Sequence, residues 1–97
     1  MTRVRWSPEA LEDLEAIQEY IGRDAPSYAQ VVVHRIISAV DRLNSFPIMG
    51  RVVPEVGRQE VRELIVGAFR VVYRYRNEEA EIVTVFRASR LFPGIPV

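Results

Sequence analysis

Apolar positions along the chain follow two different periods. Arg3-Val4-Arg5-Trp6 alternates charged and apolar residues, the signature of a short strand. Ser7-Pro8-Glu9 then carries a helix start: a hydroxyl to accept from free N–H groups, a proline whose φ suits the first helical position, and a carboxylate at the positive end of the dipole. Leu11, Leu14, Ile17 and Ile21, with Ala10, recur at helical spacing, which predicts a helix from Pro8 to Ile21. Glu9, Glu12, Asp13, Glu15 and Glu19 fall mostly off that stripe and predict an acidic solvent face, with Glu19–Arg23 as an i,i+4 pair and Gly22 as the cap. Asp24-Ala25-Pro26 restarts a helix by the same logic. Ala29, Val32, Val33, Ile36, Val40 and Leu43 form its buried stripe, and it must end before Pro47. The short connection makes the two helices an antiparallel hairpin. Val31 and Ile37 lie off the main stripe, so burial on a second side is expected.

Phe46-Pro47-Ile48-Met49-Gly50, Pro54 and Gly57 then read as a loop. Period-two segments follow at Val61–Val66, Phe69–Arg76 and Glu81–Arg87, with hairpin punctuation near Asn77-Glu78-Glu79. The order βααβββ predicts one α+β domain over residues 1–97, its helical hairpin covering one face of a small antiparallel sheet. Leu91, Phe92, Ile95 and Val97 make an apolar tail that the prolines keep out of a regular helix.

Composition narrows the chemistry. The 97 residues hold 13 basic and 13 acidic side chains, and every basic one is arginine. Without cysteine there is neither a disulfide framework nor a thiolate nucleophile, and the lone histidine, His34, supports no multi-histidine metal site. No cofactor motif is present: Gly50, Gly57 and Gly67 have neither dinucleotide nor P-loop spacing. Ser7 and Ser89 lack a histidine beside them, and His34 reads as a surface or boundary residue. No apolar run approaches the roughly 18 residues of a membrane span, and no signal-peptide block opens the chain, so a cytoplasmic protein is expected.

The balanced charge is unevenly placed, acidic in the first half and basic in the second. In the strand Phe69–Arg76, alternation sets Phe69, Val71, Tyr73 and Tyr75 on one face and Arg70, Val72, Arg74 and Arg76 on the other. With the aromatic face against the helices, the arginines are expected to point outward, joined by Arg62, Arg87 and Arg90. Planar guanidinium forks suit carboxylate or phosphate partners. The same pattern equally suits an open sheet face that carries charge for solubility, paired with Glu60, Glu63 and Glu81.

Several segments together resemble the RelE/ParE toxins of bacterial type II toxin–antitoxin modules. They are Val4-Arg5-Trp6-Ser7-Pro8-Glu9-Ala10, Phe46-Pro47-Ile48-Met49-Gly50-Arg51 with Val53-Pro54-Glu55, Phe69-Arg70-Val71-Val72-Tyr73-Arg74, and Val83-Thr84-Val85-Phe86-Arg87-Ala88-Ser89-Arg90. The resemblance implies growth inhibition, a role in plasmid stabilization and a cognate antitoxin, with a homodimer or a toxin–antitoxin hetero-oligomer as the assembly. It also implies one of two targets. RelE-like members cleave mRNA on the ribosome, and Arg70, with Arg87 or Arg90, falls where their basic residues lie. That branch usually adds a tyrosine or histidine near the C-terminus, whereas this chain has neither after Tyr75, and arginine is a poor proton donor. ParE-like members lack the catalytic set and inhibit DNA gyrase by direct binding. The resemblance favours that branch, with Arg62, Arg70, Arg74, Arg76, Arg87, Arg90, Leu91 and Phe92 as candidate contacts to target or antitoxin.

Overall fold

A computed structural model describes residues 2–95. Strand β1 (Arg3–Trp6) leads into helix α1 (Pro8–Gly22), and α2 (Pro26–Asp41) follows, extended by a single 3-10 turn over Arg42–Asn44. Strands β2 (Arg51–Val52), β3 (Val61–Val66), β4 (Phe69–Arg76) and β5 (Glu79–Arg87) complete the domain. The sheet order is β1-β5-β4-β3-β2. Its pairings are antiparallel except β1, which runs parallel to β5.

Local chemistry accounts for most of the boundaries. Ser7 caps α1, its Oγ accepting from the Ala10 N–H at 3.1 Å, with Pro8 in the first turn. Gly22 is the last helical residue and Arg23, in ordinary right-handed conformation, is the cap; the chain turns into α2 within a few residues and needs no left-handed glycine. Ala25 caps α2 without a side-chain hydrogen bond, so Asp24 does not perform the capping its position suggested. The expected Glu19–Arg23 pair is not made among the described residues. Gly67 (φ +57) takes the first central position of the two-residue β3–β4 turn. Asn77 (φ 52) and Glu78 (φ 59) form the two-residue turn between β4 and β5, both left-handed as a type I′ hairpin requires.

The main core lies between the helices and the sheet. Val32, Ile36, Val40 and Leu43 meet Leu64, Phe69, Val71, Tyr73, Ile82 and Val85 there, with Leu14, Ile17 and Ile21 of α1 at its margin. A smaller second core occupies the opposite face of the sheet, where Val53, Val61, Val72 and Phe86 are covered by Val56, Phe92 and Ile95. The outward side of the sheet is therefore not open to water along its length. Irregular backbone from the β2–β3 connection and the C-terminal tail closes over it. Val97, the last member of the apolar tail, lies outside the described residues. Val31 and Ile37 stay exposed on α2.

Candidate functional site

The arginines expected on one exposed face divide between two. Pairing partners in a sheet share a face. Arg62 lies opposite Tyr73 and Arg87 opposite Phe69, which places both on the helix side; Arg70 lies opposite Ile65 and Phe86, on the outer side. For Arg87 the reason is a bulge in β5. The register passes from Tyr73↔Ile82 to Val72↔Thr84, so one residue is skipped and from Val85 onward the side chains of β5 change face. The bulge also carries Val85 into the main core and Phe86 into the outer one. Two groups from the α1 end bind its backbone. Ser7 Oγ donates to the Val83 carbonyl at 3.1 Å, and Asp13 Oδ2 accepts from the Val85 N–H at 3.0 Å and from Thr84 Oγ1 at 2.7 Å. Asp13 thus departs from the solvent face on which its neighbours lie.

On the outer side, Arg70 is buried within an ionic chain. Its Nε donates to Glu63 Oε1 at 2.6 Å, and its two terminal nitrogens donate to Glu55 Oε2 and Oε1 at 2.8 and 2.7 Å. Glu63 is 0% exposed and also accepts from Arg51 Nε at 2.6 Å. Two opposed charge pairs run as Arg51–Glu63–Arg70–Glu55, an arrangement that buries a carboxylate without leaving it uncompensated. The guanidinium lies 5.1 Å from the Phe86 ring centroid and 5.6 Å from that of Phe92, and the two rings meet edge to face at 5.9 Å. The Arg70 hydrogen bonds are the main reason Glu55 titrates low, at about 2; the same bonds raise the Arg70 pKa. Arg70 is accordingly a fully engaged structural charge.

The remaining candidates are scattered. Arg74 is buried, opposite Glu81 and Val61. Arg76 is exposed beside the hairpin, opposite Glu79. Arg87 stacks on Phe69 at 5.2 Å and, with Arg90, borders a cleft of about 350 Å³ floored by Ile17, Ile21 and Val85. Leu91 is exposed, and Phe92 is half-buried over Phe86 and Arg70. Of the acids proposed as partners of the stripe, Glu63 does pair with Arg70. Glu60 instead pairs with Arg58, and Glu81 with Arg5. His34 is exposed on α2.

A proton donor beside Arg70 is missing among the described residues. Tyr73 and Tyr75 face the helices, and Tyr20, Tyr28 and His34 are on the helices themselves. The Tyr73 hydroxyl donates to the Pro47 carbonyl at 2.9 Å and accepts from the Gly50 N–H at 3.0 Å; burial raises its pKa. Its work is to hold the 46–50 loop. Gly50 is required there, because a Cβ would come within 2.7 Å of the Glu63 carbonyl and of Tyr73 Oη. Sequence reasoning missed Glu55, Asp13 and Tyr73 as determinants of the site. Tyr73 left a signal as a hydroxyl at the centre of the inward row, and Glu55 stood only within the Val53-Pro54-Glu55 segment of the resemblance.

Comparison with known proteins agrees with this architecture. The family model described as the ParE toxin of the type II toxin–antitoxin system parDE matches residues 4–92. Protein Y4kP of Sinorhizobium fredii (strain NBRC 101917 / NGR234) is 38% identical over 95 residues, covering 96% of this chain and 95% of its own. Toxin RelE2 of Caulobacter vibrioides is 34% identical over 91 residues, covering 94% of this chain and 100% of its own. A chain from the chromosomal ParDE TA system of P. aeruginosa superposes with a TM-score of 0.76 at 26% identity, covering 90% of this chain and 96% of that one. With a family match across nearly all of its length, the chain belongs to the ParE toxins of type II toxin–antitoxin systems, and as such has a cognate antitoxin for a partner.

Proposed function

We propose that this toxin inhibits DNA gyrase by direct binding and performs no chemistry of its own. One observation carries the reading: the arginine that a ribonuclease would turn toward phosphate is committed to carboxylates. All three guanidinium nitrogens of Arg70 donate to Glu55 or Glu63, and the Phe86 and Phe92 rings lie 5.1 and 5.6 Å from it. Phosphate could reach it only by displacing two carboxylates and Phe92. Cleavage through a ribose 2′-OH further needs an acid for the leaving oxygen, and no tyrosine or histidine shares the outer face of the sheet among the described residues. The match to the ParE model and the likeness to a ParDE chain support the same branch. Gyrase as the target places the site of action in the cytoplasm.

The competing reading, a ribosome-dependent mRNA endoribonuclease, draws on the 34% identity to RelE2. Two assays separate them. Purified toxin should block ATP-dependent supercoiling of relaxed plasmid by gyrase while leaving transcripts in a translating extract intact. Unimpaired supercoiling at saturating toxin, together with A-site cleavage of transcripts by the wild-type toxin, would reverse the assignment.

A further inference from the structure

We infer that the loop Phe46–Met49 is the surface that engages the inhibited protein, inserting apolar side chains into an apolar pocket rimmed by carboxylates. The inference rests on the reading above that the toxin acts by binding.

Three observations converge on this loop. It is apolar and uncovered: Phe46 is 60% exposed and Ile48 62%, with Met49 beside them. Elsewhere large exposed apolar side chains are mostly single residues on helices, whereas here they are clustered on one tight turn. The turn is also held rigid from within. The Ser45 and Phe46 N–H groups both donate to the Arg42 carbonyl, and Met49 N–H closes onto the Phe46 carbonyl. Tyr73 Oη ties Pro47 to Gly50, and Arg62 Nη1 donates to the Gly50 carbonyl at 2.9 Å. Backbone polar groups are thus satisfied inward while apolar side chains project outward. A preformed loop of this kind loses little entropy on binding, and exposed apolar clusters of this sort mark interaction sites.

The third observation concerns charge. Arg42 precedes the turn and Arg62 lies beneath it, while Arg51, which follows it, is paired with Glu63. Every acceptor of the Arg62 guanidinium is neutral: the Gln59 carbonyl and side-chain amide, and the Gly50 and Ile48 carbonyls. Its positive charge is therefore not cancelled. Arg42 forms no ion pair among the described residues, and Asp41 is the one carboxylate adjoining the turn in sequence. An apolar tip on a net positive base fits a pocket with an acidic rim. The cleft between α1 and the sheet, bordered by Arg87 and Arg90, is not an acidic-rimmed pocket for the same loop of a second copy.

The test is the double variant Phe46→Asp/Ile48→Asp, scored by thermal melting, by gyrase supercoiling and by growth arrest on induced expression. Both side chains are exposed, so the melting temperature should hold. Loss of two anchors should raise the toxin concentration for half-inhibition by at least roughly thirty-fold and restore growth. Arg42→Glu should raise it about tenfold, the wild-type potency falling as salt is added. A folded double variant as potent as wild type overturns the inference and leaves the gyrase reading standing. Wild-type toxin that spares gyrase but arrests growth sinks the gyrase reading instead, and the loop is then judged on arrest alone: a folded double variant that still arrests growth overturns it. Should aspartate lower the melting temperature, Phe46→Ser/Ile48→Ser is read by the same criteria. Unchanged potency in Arg42→Glu overturns the acidic rim.

Discussion

Replacing Arg70 by methionine keeps most of the side-chain volume and removes the charge. Glu63, 0% exposed, would retain Arg51 as its sole cation, and both Glu55 oxygens would lose their donors. The stacking on Phe86 and Phe92 would go as well. Breaking one partner out of a buried ion pair costs about 3–5 kcal/mol, because the remaining charge is left uncompensated. For a domain of this size that is a drop of about 15–25 °C in melting temperature, and a large share of the roughly 5–15 kcal/mol by which such domains are stable. Thermal melts of purified Arg70→Met against wild type measure it directly. Removing both charges, as Arg70→Met/Glu63→Leu, should recover part of the loss, since the buried carboxylate that creates the penalty is gone. If Arg70→Met melts within ~2 °C of wild type and yet is inactive, a range expected only of surface changes, then Arg70 is a functional contact and the structural account of it is wrong.

Other consequences can be checked independently. Gly50→Ala drives a Cβ to 2.7 Å from the Glu63 carbonyl and Tyr73 Oη, so it should cost about 1–3 kcal/mol in urea unfolding from overpacking alone. An alanine that melts like glycine would show that the loop gives way freely. Glu55 has a folded pKa lowered from 4.5 to about 2, so its contribution is full above 4.5 and disappears as pH falls toward 2. The melting-temperature advantage of wild type over Glu55→Gln should therefore be constant near neutrality and shrink across that acid window; an advantage that persists at pH 2 contradicts the assignment. Ser7→Ala removes both the α1 cap and the bond to the Val83 carbonyl and should cost about 0.5–2 kcal/mol, read by urea unfolding.

The helices, β1 and the three long strands were legible because each repeats a simple period. The side-chain alternation of β4 correctly assigned Phe69, Val71, Tyr73 and Tyr75 to the helix side. It could not show that Arg70 and Arg74 are covered on the other side. The covering residues, Val53, Val56, Phe92 and Ile95, lie on irregular backbone and follow no repeat. Strand β2 was missed for the same reason: two residues are too few to set a period. The side taken by Arg62 follows from the two-residue turn at Gly67, which fixes the register. That of Arg87 does not, because a bulge inverts it and no residue type announces the bulge. Glu63 was legible as a partner for the stripe, whereas Glu55 reaches Arg70 from a loop.

The parallel pairing of β1 with β5 has a consequence for when, during synthesis, the fold can close. Arg5 meets Glu79 and Glu81, and Ser7 meets Val83, across separations of 74 to 76 residues. Asp13 likewise finds Thr84 and Val85 only across 71 and 72. A nascent chain that has passed the helical hairpin holds its first strand without a neighbour and α1 without its anchor. Non-local closure of this kind comes late and slowly. The folded toxin cannot assemble until synthesis has reached about residue 87, the end of β5. A ribosome that stops short of β5 therefore releases a chain with the helical hairpin but without the closure that joins its two ends.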